Sequence, residues 1–167
     1  MIAVIGLGSN LGSREAILQT SVNLLGSLPS SRVEAVSALY ETEAIGPPQP
    51  RYLNAAVRLA TLLSPLELLG LLLRVESILG RERKERYVPR TIDLDLLWTD
   101  GPAVSLPSLV VPHPRLRERV FALVPLLDVV PELGSLYTED LQRLRSEQPL
   151  VVSGAAIRCP PPLAAVR

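Results

Sequence analysis

Residues 90–98 read Arg-Thr-Ile-Asp-Leu-Asp-Leu-Leu-Trp, and the fold of the chain is organised around this stretch. From Ile92 onward, apolar and acidic residues alternate, which is typical of a half-buried β-strand. Side chains two residues apart on a strand lie on the same face of the sheet. We therefore expect Asp93 and Asp95 to share one face, with Cα atoms about 6.5 Å apart. The apolar residues between them should pack into a core on the other face.

The acidic pair follows a segment rich in arginine, residues 81–90. Two carboxylates at this spacing can converge on one or two hard cations such as Mg²⁺. Arginine is the side chain best suited to holding phosphate groups. The combination indicates a polyphosphate held between metal-binding acids and arginines. The alternative is an acidic face that protects an edge strand from aggregation, with the arginines in surface ion pairs.

Length and charge limit the function classes that remain open. The 167 residues fit one domain, which we place at 1–153, followed by a short proline-rich C-terminal tail at 154–167. The net charge of zero implies no general attraction to nucleic acid or to an anionic membrane surface. The only cysteine, Cys159, cannot form a disulfide framework or a cysteine zinc site. We expect a cytoplasmic monomer that binds small molecules and neither nucleic acid nor membrane.

The periodicity predicts the element order β-α-β-β-α-β. Strands are predicted at 2–7, 32–40, 52–62 and from 92, and helices at 11–28 and 64–79. This order is that of a ferredoxin-like α+β fold, an antiparallel sheet with both helices packed on one face. Gly6 and Gly8 lack the third glycine of a dinucleotide fingerprint, so we interpret them as glycines of a tight strand-to-helix turn.

A second polar pair lies on the strand predicted at 52–62. Tyr52 and Asn54 share a face, and they can stack on a flat heterocycle and hydrogen-bond its edge. Taken alone, the pair fits a solvated sheet face equally well. Taken alone, His113 would be a turn residue and Phe121 a core residue.

Four motifs considered together are more specific than any of them alone. They are residues 5–12, residues 52–55, residues 90–95, and residues 111–113 with Arg119 and Phe121. In this order and spacing they resemble the 6-hydroxymethyl-7,8-dihydropterin pyrophosphokinases of folate biosynthesis. The resemblance covers the chain from the first strand to residues 131–133. It implies a ferredoxin-like α+β fold and transfer of an intact pyrophosphoryl group from ATP to the pterin hydroxymethyl group, with release of AMP.

The resemblance also implies roles for individual residues. Asp93 and Asp95 match the ligands of two Mg²⁺ ions. Arg81, Arg83 and Arg90 match catalytic loop arginines that close over the phosphates. The positions that match the pterin side are Thr42, Glu43, Ile45, Tyr52, Asn54, Tyr87 and Phe121. The positions that match the ATP side are Glu76, Arg83, Arg90, Leu96, His113 and Arg119.

Two other classes of function compete with this interpretation. The first is a non-catalytic ferredoxin-like module that binds small ligands or RNA, but an RNA-binding sheet would need exposed aromatic residues and a basic surface. The second is another metal-dependent nucleotidyl or phosphoryl transferase. The set Tyr52, Asn54 and Phe121 argues against the second class, because a different acceptor would not need a flat aromatic sandwich.

Overall fold

The strand that carries the two aspartates forms one edge of an antiparallel sheet. The computed structural model describes residues 1–81 and 89–161. The helices and strands are β1 Ile2–Ser9, α1 Arg14–Gly26, β2 Ser31–Val36, β3 Tyr40–Thr42, β4 Tyr52–Thr61, α2 Pro65–Ile78, β5 Asp93–Thr99, β6 Val104–Leu106, β7 Leu109–Val111, α3 Val120–Val129, α4 Thr138–Glu147 and β8 Val151–Val152, with 3-10 turns at Leu116–Glu118 and Pro131–Tyr137. Among these residues, six strands form the main sheet in the order β5-β1-β4-β3-β8, and β2 also pairs with β4. The strands β6 and β7 form a separate hairpin.

The predicted α+β class with an antiparallel sheet is confirmed, and two of the predicted elements differ most from those observed. The first helix begins at Arg14 rather than at residue 11, because Gly12 adopts a left-handed backbone with φ of 67°. The strand predicted at 32–40 is divided into β2 and β3. It is interrupted at Ser37, whose side-chain oxygen accepts the backbone N–H of Ala56 on β4.

One face of the sheet packs against α1 and α2. Ile5 of β1 and Leu94 of β5 lie in a core with Leu18 of α1 and Leu72 of α2, and each is at most 4% exposed. Burying a leucine or isoleucine side chain contributes about 1.5–3 kcal/mol. Ile92, Leu94 and Leu96 therefore point toward these helices, as predicted, and Asp93 and Asp95 point away from them.

The other face of the sheet is covered by α3 and α4. Leu123 and Leu126 of α3 are fully buried in a second core with Val4 of β1 and Ala56 of β4. The expectation that helices pack on one face holds for α1 and α2 and is wrong for the chain as a whole. The mainly apolar sequence of α3 explains the difference, because such a helix must be buried nearly all round. The polar residues of β4 and β5 lie on this face, beside the first turn of α3.

The chain after β8 lies along α1. Ala155 and Ile157 pack on the first core, and the side chain of Gln19 exchanges two hydrogen bonds with the backbone of Arg158, at 2.8 and 3.0 Å. The predicted division at 154 stays a prediction. Within the described residues, the helices are too short or too polar to cross a membrane.

Candidate active site

A cavity of about 460 Å³ opens on the sheet face that carries the acidic pair. Strands β1, β4 and β5 form its floor, and the first turn of α3 forms one wall. Its lining includes many of the residues that the sequence singled out: Thr42, Glu43, Ile45, Tyr52, Asn54, Arg90, Asp93, Asp95, His113, Arg119 and Phe121. Five separate segments of the chain therefore converge here, although residues 42 and 121 are far apart in sequence.

The two aspartates differ in their partners. Asp93 forms ion pairs with Arg81 and Arg90, each with a nitrogen–oxygen distance of 2.7 Å. Burial, and next the charge of Asp93, raise the pKa of Asp95 to about 6. Two carboxylates that repel each other in a partly buried site favour a bound cation.

The donor set fits Mg²⁺ better than a zinc ion. Among residues 1–81 and 89–161, no group of three or more His, Cys, Asp or Glu side chains is arranged to hold a metal. Mg²⁺ usually binds one or two carboxylates and takes its remaining ligands from substrate phosphates and water. Asp93 and Asp95 match that pattern.

Glu76 contacts both the strand that carries the acidic pair and one of the arginines that pair with Asp93. Its side chain is 2% exposed, accepts the backbone N–H of Leu94 at 2.7 Å and pairs with Arg81. Leu94 lies on an edge strand, so its outward N–H needs a partner outside the sheet. Glu76 thus fixes both the edge of β5 and the arginine that pairs with Asp93.

Asn54 and Tyr52 form the opposite part of the cavity. The Asn54 amide nitrogen donates to the Tyr40 carbonyl at 3.3 Å and to the Thr42 hydroxyl at 2.9 Å. Both of its donors are therefore used internally, which leaves its oxygen as an acceptor. A Cβ atom at Gly8 would lie 3.3 Å from this oxygen and 3.6 Å from the Tyr52 ring. Gly8 therefore leaves the space that both side chains occupy.

The residues between β7 and α3 supply cationic and donor groups. His113 Nδ1 accepts the backbone N–H of Arg115 at 3.1 Å, while burial, followed by the charges of Arg119 and Arg115, lowers the histidine pKa. The neutral ring then presents Nε2–H as a donor. The Arg119 guanidinium carbon lies 5.7 Å from the centre of the Phe121 ring. The buried Nε of Arg119 has no hydrogen-bond partner among the described residues, so its N–H remains as a donor for an anionic ligand.

Some of the predicted site residues lie elsewhere. Arg81 and Glu76 lie behind Asp93 and do not line the cavity. Leu96 is 3% exposed, and its side chain belongs to the core against α1 and α2, so any contact with a nucleotide would involve its backbone. Arg83 and Tyr87 lie outside the residues that the structure describes.

Other lining residues were missed or misinterpreted. Gly6 and Gly8 lie inside β1 and not in the predicted turn. A Cβ atom at Gly6 would lie 3.0 Å from the Leu97 side chain. Leu97 lies on the same face of β5 as Asp93 and Asp95, as strand alternation requires, and the β1–β5 register shifts beside it, between Val4 and Ile5. The sequence signalled the glycines, but strict alternation gives no sign of the shift. Gln49, Pro114, Arg115 and Ala122 also line the cavity.

Comparison with known proteins gives one consistent result. The profile of the family described as 7,8-dihydro-6-hydroxymethylpterin-pyrophosphokinase (HPPK) matches residues 4–131. The 2-amino-4-hydroxy-6-hydroxymethyldihydropteridine pyrophosphokinase of Bacillus subtilis is 45% identical over 129 residues, which is 77% of this chain and 77% of that protein. The protein of the same name from Methylorubrum extorquens is 44% identical over 146 residues, 85% and 92% of the two chains.

Solved structures agree on the fold. The chain resembles the crystal structure of wild-type Plasmodium falciparum HPPK-DHPS with a TM-score of 0.61 and 17% identity. The match covers 87% of this chain and 44% of that longer one. With a matching profile over most of its length and close relatives of similar size, the chain belongs to the 7,8-dihydro-6-hydroxymethylpterin-pyrophosphokinase family and is a pyrophosphokinase.

Proposed function

We propose that the chain transfers the β- and γ-phosphates of ATP to 6-hydroxymethyl-7,8-dihydropterin in folate biosynthesis. The hydroxymethyl oxygen forms a bond to the β-phosphorus, and the bond from that phosphorus to the oxygen bridging the α- and β-phosphates breaks. AMP leaves with the bridging oxygen, and the hydroxyl proton passes to solvent. The names of the relatives and the composition of the cavity support this assignment.

The observation that carries the proposal is that one cavity is lined both by charged residues and by residues suited to a flat ring. On one side are the acidic pair and Arg90, which suit a metal–polyphosphate. On the other are Tyr52, Asn54 and Phe121, which suit a flat ring with hydrogen-bonding edges. An acceptor hydroxyl and a phosphate chain bound in these places would lie next to each other.

In the proposed mechanism, the protein contributes alignment and charge rather than a covalent step. Asp93 and Asp95 would hold two Mg²⁺ ions, which supply charge neutralisation on the phosphates when bound. Arg90 and Arg119 offer guanidinium donors to the phosphate oxygens, and His113 offers its Nε2–H. Asn54 accepts from the pterin edge, and Tyr52 and Phe121 hold the ring. Orientation of this kind can supply roughly 7–11 kcal/mol of the barrier.

The products of ATP turnover test the proposal directly. The purified chain is incubated with ATP and Mg²⁺, with and without 6-hydroxymethyl-7,8-dihydropterin, and the nucleotides are separated. We expect AMP to accumulate only when the pterin is present, in a one-to-one ratio with pterin diphosphate. ADP as the product would indicate an ordinary kinase and overturn the proposal. Binding of pterin without turnover would favour the non-catalytic ligand-binding module.

The pterin side of the cavity gives a prediction of its own. Replacing Phe121→Ala removes one ring surface, and loss of aromatic stacking costs roughly 1–3 kcal/mol, or about 5- to 150-fold. We expect the KM for the pterin to rise within this range and the KM for ATP to change much less. Steady-state kinetics with each substrate varied in turn measures the two constants.

The conservative variant Phe121→Tyr serves as the matched control, because it keeps an aromatic ring at the same place in α3. It should restore the KM for the pterin to near the wild-type value. If Phe121→Ala left that KM unchanged, the residue would be part of the core only, as its apolar helix suggests when considered alone.

Several wider assignments accompany the proposed reaction. We propose the ferredoxin-like arrangement for the core of β5, β1, β4 and β2 with α1 and α2, supported by the observed strand order. We also propose a single pyrophosphokinase domain at 1–153, a tail at 154–167, and a cytoplasmic monomer that binds neither nucleic acid nor membrane. The zero net charge supports the proposal that the chain binds neither nucleic acid nor membrane. Light scattering of the purified chain tests whether it is a monomer.

A further inference from the structure

Asn10 is a buried amide in the motif of residues 5–12, and no role has been assigned to it above. It directly follows β1 and is 2% exposed. A buried amide needs hydrogen-bond partners, and leaving them out is costly. The partners of this side chain come from two distant parts of the chain, and both parts reach the cavity.

One set of bonds holds the residues just before β4. The Asn10 amide nitrogen donates to the side-chain oxygen of Gln49 at 2.9 Å and to the backbone carbonyl of Pro50 at 3.1 Å. Gln49 lines the cavity, and Tyr52 lies two residues after Pro50. These bonds therefore fix the approach to the ring-binding side of the site.

A second set of bonds holds Arg90. The Asn10 side-chain oxygen accepts the Arg90 backbone N–H at 2.7 Å, and the Asn10 backbone N–H donates to the Arg90 carbonyl at 3.2 Å. The Arg90 guanidinium lies 2.7 Å from Asp93. The backbone of this arginine is thus fixed by Asn10, and its side chain remains available to the acidic pair and the phosphates.

We propose that Asn10 is a positioning residue that fixes the ring-binding segment and Arg90 relative to each other. This inference rests on the proposed function. The side-chain nitrogen of Asn10 donates to the segment beside the pterin-binding residues. Its side-chain oxygen accepts from Arg90, on the side of the site proposed for the phosphates. In-line transfer needs the hydroxymethyl oxygen and the β-phosphorus aligned, and a misplacement of about 1 Å can cost 10²-fold in rate.

Two substitutions separate the two ends of the amide. Asn10→Asp keeps the oxygen that accepts from Arg90 but loses both donors to residues 49 and 50. We expect the KM for the pterin to rise about 10-fold, as for the loss of one or two net hydrogen bonds, with the KM for ATP nearly unchanged. Asn10→Ala loses both ends, so we expect kcat to fall as well, by up to about 10²-fold.

The experiment measures kcat and both KM values by pterin-dependent AMP release, beside urea unfolding of each variant. Asn23 is an exposed asparagine on α1, and Asn23→Asp and Asn23→Ala are the matched controls. A change in the KM for the pterin alone in Asn10→Asp, with a further loss of kcat in Asn10→Ala, supports the proposal.

Two results overturn it. One is a loss of activity that follows only the fraction of unfolded protein, with kcat and both KM values unchanged per folded molecule. The other is an equal change of all three constants in both Asn10 variants, because a purely structural amide would not separate the two substrates. Failure of the proposed function itself is recognised separately, since the wild type would then release no AMP in the same assay.

Discussion

Replacing Asp95→Asn is expected to abolish pterin-dependent AMP release while the protein remains folded. Asn has almost the same shape as Asp but has no negative charge with which to hold Mg²⁺. Loss of a group that compensates charge in phosphoryl transfer costs about 10³-fold or more. We expect this loss in kcat/KM, with the KM for the pterin affected far less because Tyr52, Asn54 and Phe121 are intact.

The same substitution should not destabilise the protein, and this makes the prediction sharper. The folded-state pKa of Asp95, about 6, is higher than the ordinary value of 3.8, so folding favours the protonated carboxyl. Above pH 6 the ionised side chain therefore lowers stability, by up to roughly 3 kcal/mol. Asn removes that charge. In the presence of a chelator, the variant should gain stability at pH 8, and the gain should shrink as the pH falls through 6.

Asp100→Asn is the matched control for Asp95→Asn. Asp100 is exposed directly after β5 and accepts the backbone N–H of Ile2 through one oxygen, a bond that Asn can keep. This variant should retain wild-type AMP release. If Asp95→Asn retained activity as well, the assignment of the acidic pair to the metal would be wrong.

Arg90→Ala is expected to reduce kcat by about 10²- to 10³-fold, the range for removal of one donor aimed at developing charge. The Arg90 side chain lies against Asp93, and its position in the cavity suits the phosphates of ATP. The two bonds between Arg90 and Asn10 use only backbone atoms of Arg90, so the substitution leaves the entry to β5 in place. We therefore expect a catalytic defect without a large loss of stability, measured by single-turnover kinetics and urea unfolding.

The control for Arg90→Ala is Arg32→Ala, which removes an exposed arginine paired with Glu34 on β2. Surface pairs of this kind contribute about 0–1 kcal/mol to the free energy of unfolding, so the variant should remain folded and keep its activity. Arg90→Lys is informative as well, because it keeps the charge but loses the planar fork of donors. A variant Arg90→Ala with wild-type kcat would show that Arg90 only neutralises Asp93.

Much of this architecture follows from local patterns in the sequence. Alternation from Ile92 onward placed Asp93 and Asp95 on one face and Leu94 on the other, because successive strand residues point to opposite sides. The same argument applied to β4 placed Tyr52 and Asn54 on the face opposite Leu53 and Ala55, which lie in the core against α1 and α2. The helix α2 was predicted from its apolar periodicity, within one residue at either end, and in the structure Ser64 and Glu67 form a capping box at its start.

Other features depended on contacts between distant segments. The burial of the second sheet face by α3, the packing of Leu97 against Gly6, and the contact of Gly8 with Asn54 all require knowing which segments are neighbours. The partners of Asn10 lie about 40 and 80 residues away in the chain. By itself, the sequence determined which residues face which way, because that depends on backbone periodicity. Only the tertiary structure decided which of them meet, because non-local pairing sets the distances between side chains.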